Sequence, residues 1–142
     1  MYDKIMLPVD LDKASSWEKA LPTAITLCRT FGASLHVVTV RPDVRMPMVS
    51  AYLPKNFSRD AEAEVVEAQR AFIEEHIPDD ITTQNVVVDG SPWEALIKVS
   101  DQLDIDLIIM ASHTRHKLVD YVLGPNAEHV VHHSPVSVMI VR

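Results

Sequence analysis

The residues best suited to chemistry stand at the ends of short apolar runs. Asp10 follows Ile5-Met6-Leu7-Pro8-Val9. A carboxylate there can accept both hydroxyls of a ribose, or it can serve as an ordinary loop or capping acid. From 111 to 117 the chain reads Ala-Ser-His-Thr-Arg-His-Lys, so His113, Arg115, His116 and Lys117 cluster with no acid among them. In a chain of net charge −7 such a cluster suits a small anion; it equally suits a solvated basic loop. Gly124-Pro125-Asn126 then opens a helical pattern. The first N–H groups of a helix lack internal partners and sit at the positive end of its dipole, so a helix start favours phosphate. Proline at the first position also marks helix starts with no ligand at all. A phosphate loop here would rest on one glycine, Gly124, where such loops usually use several.

The elements that must position these residues can be read from the apolar pattern. Residues 4–10 form a short buried run in which Pro8, lacking an N–H, should fall where the strand leaves its ladder. A helix is expected from about Ser16 to Phe31, with Trp17, Leu21, Ala24, Cys28 and Phe31 on one face, a kink at Pro22 and a stop at Gly32. Residues 34–40 are a second strand. Residues 41–57, with Pro42, Pro47 and Pro54, read as a long loop. A second helix spans Ser58 to Ile77, with Ala61, Val65, Ala68 and Phe72 inward, and 82–89 is a third strand. Ser91, Pro92 and Glu94 predict a capping box opening a third helix. Residues 105–111 are apolar enough for a strand buried on both faces. A short helix, about Pro125 to His133, and a last strand, 136–141, follow.

This alternation predicts one α/β domain over 1–142, a parallel sheet with helices on both faces. Such sheets bind ligands beyond the carboxyl ends of their strands, which brings forward Asp10, Val40 and Arg41, Gly90 and residues 111–117. The acidic balance argues against a general nucleic-acid or anionic-membrane binder. No apolar run reaches the length of a membrane span. The start of the chain lacks the basic and apolar stretches of a signal peptide, and a lone Cys28 allows no internal disulfide, so a cytoplasmic protein is expected.

Across its whole length the sequence resembles the universal stress protein family. The resemblance lies in "KIMLPVD", "LHVVTV", "DGSP" and above all "DLIIMASH…VLGPNAEHVVHHSPVSVMIVR". Members carry Gly-x-x-Gly, a spacer and Gly-Ser or Gly-Thr as an ATP signature; the corresponding positions here are Ala111, Thr114, Gly124 and Pro125. Ala-Ser-His at 111–113 with Leu-Gly-x-Asn-Ala at 123–127 is similar to the small bacterial F and G branch. The resemblance implies a three-layer, Rossmann-like sheet of five strands in the order 3-2-1-4-5, as in the adenine nucleotide alpha hydrolases. It implies ATP, with or without Mg2+. Pro8, Val9, Asp10 and Val40 would take adenine and ribose, Val40 through its backbone. The phosphates would fall to Ala111, Ser112, His113, Arg115, Gly124, Asn126 and Ala127.

Three functions compete. A nucleotide-binding stress regulator fits best; no P-loop lysine motif or Gly-x-Ser-x-Gly is present, and His113 with Asp120 lacks a nucleophile, so no enzyme is expected. A fold that has lost its ligand and acts only through protein contacts is the alternative, favoured by Thr114 and Pro125. A metal-dependent enzyme using the seven histidines is the third; a metal site on His129, His132 and His133 is not expected, since no Cys or carboxylate cluster joins them and histidines suit a helix C-terminus. The strand 136–141 is apolar yet ends the sheet. Pairing with its twofold mate would cover that edge, so a homodimer is expected, as the resemblance also implies.

Overall fold

The computed structural model describes residues 1–41, 57–112 and 123–142. Its strands are β1 (Lys4–Pro8), β2 (Ser34–Arg41), β3 (Thr83–Asp89), β4 (Leu107–Ala111) and β5 (Ser137–Val141). Its helices are α1 (Ala20–Phe31), α2 (Phe57–His76), α3 (Pro92–Gln102) and α4 (Pro125–His133), with a short 3-10 turn at Ala14–Ser16. The five strands form one sheet in the order β3-β2-β1-β4-β5. Every adjacent pair is parallel. The order reverses between β1 and β4, so a crevice opens at their carboxyl ends.

Helices cover both faces, which is why β4 is buried at every position. On one face Ile5, Leu7, Leu35, Val37, Leu107 and Ile109 pack against Ala24 and Cys28 of α1 and Phe72 of α2. On the other, Met6, Val38, Ile108 and Met110 pack against Leu96 and Val99 of α3 and Ala127 and Val130 of α4. Alternate residues of each strand feed the two layers. Each fully buried aliphatic side chain contributes about 1.5–3 kcal/mol relative to exposure. Burial also pushes the Cys28 thiol up to about 11, so it stays protonated and packs as an apolar group. His36, 2% exposed in β2, is held below the usual imidazole value by burial first and by Lys4 second, so it is neutral in the fold.

The periodicity locates the strands well and four details less well. α1 begins at Ala20, not Ser16. Pro22 therefore lies in the first turn, where an N–H has no helical partner, and acts there in place of the expected kink. The predicted inward face of α1 does pack into the core, and Gly32 ends the helix with φ 68° in the left-handed region. In α2 the inward residue is Gln69, fully buried, and not Ala68, which is exposed. Gln69 Nε2 donates toward the carbonyls of Val37 (3.0 Å) and Val86 (3.1 Å) and the Thr39 hydroxyl (3.1 Å), so hydrogen bonds at the sheet override hydropathy. Ser91 and Pro92 take the cap and first positions of α3, but no side-chain capping bond forms. The predicted loop at 41–57 lies mostly outside the described residues, while Arg41 closes β2 and Phe57 opens α2.

Candidate functional site

The site is built where β1 leaves the sheet. Val9 N–H donates to the Val38 carbonyl at 2.9 Å, the last backbone-to-backbone link from the end of β1 to β2. The Val9 carbonyl, which would otherwise take the next strand N–H, accepts the Thr39 hydroxyl at 3.1 Å instead. That hydroxyl in turn accepts from Gln69, so a buried chain of hydrogen bonds fixes the exit of β1. In a parallel strand both polar groups of a residue face one neighbour, and successive residues alternate. Val38 faces β1, and Arg41 faces β3, where its carbonyl accepts the Gly90 N–H at 2.9 Å. Val40 therefore turns its N–H and C=O toward β1, at a level where β1 has already ended. A donor and an acceptor, side by side, point into the crevice. Arg41 holds this end of the sheet together through a two-pronged contact with Asp89, at 2.7 and 3.0 Å.

Asp10 follows at once. Its Oδ1 accepts the Asp12 N–H at 3.1 Å. Its own N–H donates to Ser16 Oγ at 2.9 Å, and Ser16 Oγ donates to the Lys13 carbonyl at 2.7 Å. Asp10 Oδ2 lies 3.8 Å from Lys13 Nζ, an ion pair longer than a hydrogen bond. That oxygen retains capacity for hydroxyl donors.

Across the crevice Ala111 ends β4 in an extended conformation, and the Ser112 N–H donates to the Val141 carbonyl at 3.0 Å. Gly124 is buried at the N-cap of α4 with φ −58°, so it is not held there by a left-handed backbone; its carbonyl accepts the Glu128 N–H at 3.0 Å. Pro125 takes the first helical position. The N–H groups of Asn126 and Ala127 then head the helix without intrahelical acceptors.

Pro8, Val9, Asp10, Val40, Ala111, Ser112, Gly124, Asn126 and Ala127 all line one cavity of about 890 Å³. Two more predicted residues, His113 and Arg115, lie outside the described residues, as do Thr114, His116 and Lys117. The volume suits a small molecule. A second cavity of about 850 Å³ adjoins the first and shares Asp10, Val40 and Pro92 with it. The structure adds residues the sequence reading passed over. Lys13, Ser15, Ser16, Glu18 and Lys19 line the first cavity from the stretch between β1 and α1. Their only sequence signal is their closeness to Asp10, and from about Ser16 onward the pattern reads as helix.

Two of the three clustered histidines pack on an aromatic ring. His129 and His133 stack on Trp93, with ring centroids 5.0 and 4.7 Å away, and His133 Nδ1 donates to the His129 carbonyl at 2.8 Å. Among the described residues no group of three or more His, Cys, Asp or Glu is placed to hold a metal ion. Nor is any described helix long and apolar enough to cross a membrane.

A crevice at the β1/β4 reversal of an open parallel sheet defines a Rossmann-like α/β protein. A model of the universal stress protein family matches residues 1–142, and the chain belongs to that family. It is 24% identical to universal stress protein G of Salmonella typhimurium over 100% of both chains. It is similar to a universal stress protein solved in complex with cAMP (21% identity, 99% of this chain and 97% of that one, TM-score 0.65). It is also similar to one from Archaeoglobus fulgidus solved in complex with dAMP (16% identity, 99% of this chain and 98% of that one, TM-score 0.65). These likenesses establish the fold.

Proposed function

We propose that the protein is a stress-response regulator that binds ATP or a related adenine nucleotide in this crevice and is not an enzyme. The observation that carries the reading is the outward-facing N–H and C=O of Val40 beside Asp10. Adenine offers an acceptor, N1, next to a donor, the 6-amino group, and so matches that pair. Asp10 is the ribose acceptor. The N–H groups of Asn126 and Ala127, the Ser112 hydroxyl and the α4 dipole attract the phosphates. Mg2+ would accompany ATP as its counter-ion. The cAMP and dAMP complexes of similar proteins support an adenine ligand. No candidate base is proposed for hydrolysis. Calorimetry with ATP and magnesium tests the reading: saturable binding is expected, and none at millimolar nucleotide would favour a protein that acts only through protein contacts. Pro125, which removes one N–H from the helix start, is the feature favouring that second reading.

The same reading includes a cytoplasmic homodimer paired along β5. This strand ends the sheet, yet Val138, Met139, Ile140 and Val141 are only half-buried. An apolar edge with an open ladder invites a twofold mate. Sedimentation should give a dimer mass at micromolar concentration, and Val138→Lys should shift it toward monomer. A wild-type monomer at that concentration would contradict the pairing.

A further inference from the structure

We propose that Lys13 and Lys19 supply the positive charge for the ligand's phosphates, so that the site selects nucleoside di- and triphosphates over adenosine and monophosphates. This deepens the nucleotide reading and rests on it for the identity of the base. Four charged side chains line the first cavity among the described residues: Asp10, Lys13, Glu18 and Lys19. Asp10 is the ribose acceptor. On the phosphate wall, Ala111 replaces a backbone-exposing glycine and Pro125 has no N–H to give. The helix start retains donors but carries only partial charge. Full cations would hold a polyphosphate more strongly, and among the described residues that line this cavity they are the two lysines.

Their setting suits the task. Ser16 ties Lys13 into a fixed 3-10 turn through the Lys13 carbonyl at 2.7 Å. The ammonium is 3.8 Å from Asp10 Oδ2, so it can turn toward phosphate without breaking a short hydrogen bond. Lys19 occupies the N-cap of α1, with no side-chain cap bond. A cation there opposes the helix dipole. A residue unfavourable to its own helix, facing a cavity, gains from an anion placed beside it. Glu18 lies on the same wall and opposes the lysines, which gives the proposal a test of sign.

The test is calorimetry of ATP, AMP, adenosine and inorganic tripolyphosphate on wild type, Lys13→Ala/Lys19→Ala, Lys13→Arg/Lys19→Arg and Glu18→Gln. Circular dichroism checks that each variant folds. The double alanine variant should lose about 30-fold in ATP affinity, less for AMP, and less than about two-fold for adenosine. The arginine pair should restore ATP binding, and Glu18→Gln should tighten it by about two- to five-fold. Equal losses for ATP and adenosine, or no loss for ATP, would overturn the lysine assignment while leaving the nucleotide reading intact. Wild type that binds tripolyphosphate through the lysines but no adenosine would overturn the nucleotide reading and keep the anion site. Wild type that binds none of the four overturns both.

Discussion

The two ends of the crevice are made differently. At the β1–β2 end, the proposed recognition belongs to the backbone. Val40 presents its N–H and C=O because β1 stops at Pro8 and Thr39 takes the Val9 carbonyl. Gln69 from α2 and the Arg41–Asp89 pair hold that geometry from behind. At the β4–α4 end, the backbone offers less, since Ala111 is an ordinary strand residue and Pro125 lacks an N–H. There, in the proposal above, positive charge comes from Lys13 and Lys19, which line the same cavity. Geometry fixed by a sheet tolerates little change and would read one base; charge supplied by exposed lysines is tunable and would read only how anionic the ligand is.

Substitutions and ligands can pull the two ends apart. The largest effect should come from Asp10→Ala, which removes the ribose acceptor at the junction. Losing two hydroxyl contacts to a carboxylate should cost about 3 kcal/mol, or about 100-fold for ATP and adenosine alike, by calorimetry. Equal binding by variant and wild type would remove Asp10 from the site. Next in size is base choice. Guanine carries a donor at N1 and an acceptor at O6, the reverse of adenine, and would leave both Val40 groups unsatisfied. GTP should therefore bind at least about 30-fold more weakly than ATP in the same titration. Comparable affinities would mean that the base is not read by the strand. The smallest effect tests the other end. Pro125→Ser restores an N–H and adds a hydroxyl at the head of α4, and should tighten ATP by about five- to ten-fold with adenosine unchanged. A tighter adenosine complex would place the change outside the phosphate wall.

The fold was legible because its strands are apolar runs separated by amphipathic helices, and a parallel sheet needs that alternation. Asp10 and Val40 follow as candidates from the strand ends, where ligands gather, and Gly124 from the helix start behind it. What hydropathy could not reveal was set by polar contacts. Ala68 looked inward by hydropathy, but Gln69 is buried because three acceptors wait for its amide. The α1 start was misplaced because Pro22 suits the first turn as well as it suits a kink. A helix starting at Ser16 would take in Lys19, whereas the observed chain makes a separate 3-10 turn at Ala14–Ser16 and begins α1 only at Ala20. The basic cluster at His113 and Arg115 lies outside the described residues.

The central claim is that the backbone of Val40 meets the base, and amide NMR reads it most directly. In 15N-labelled protein titrated with ATP and then adenosine, the Val40 and Asp10 amides should shift saturably with both ligands. The Asn126 and Ala127 amides should move chiefly with ATP. Shifts that leave Val40 and Asp10 still while binding saturates would contradict the account.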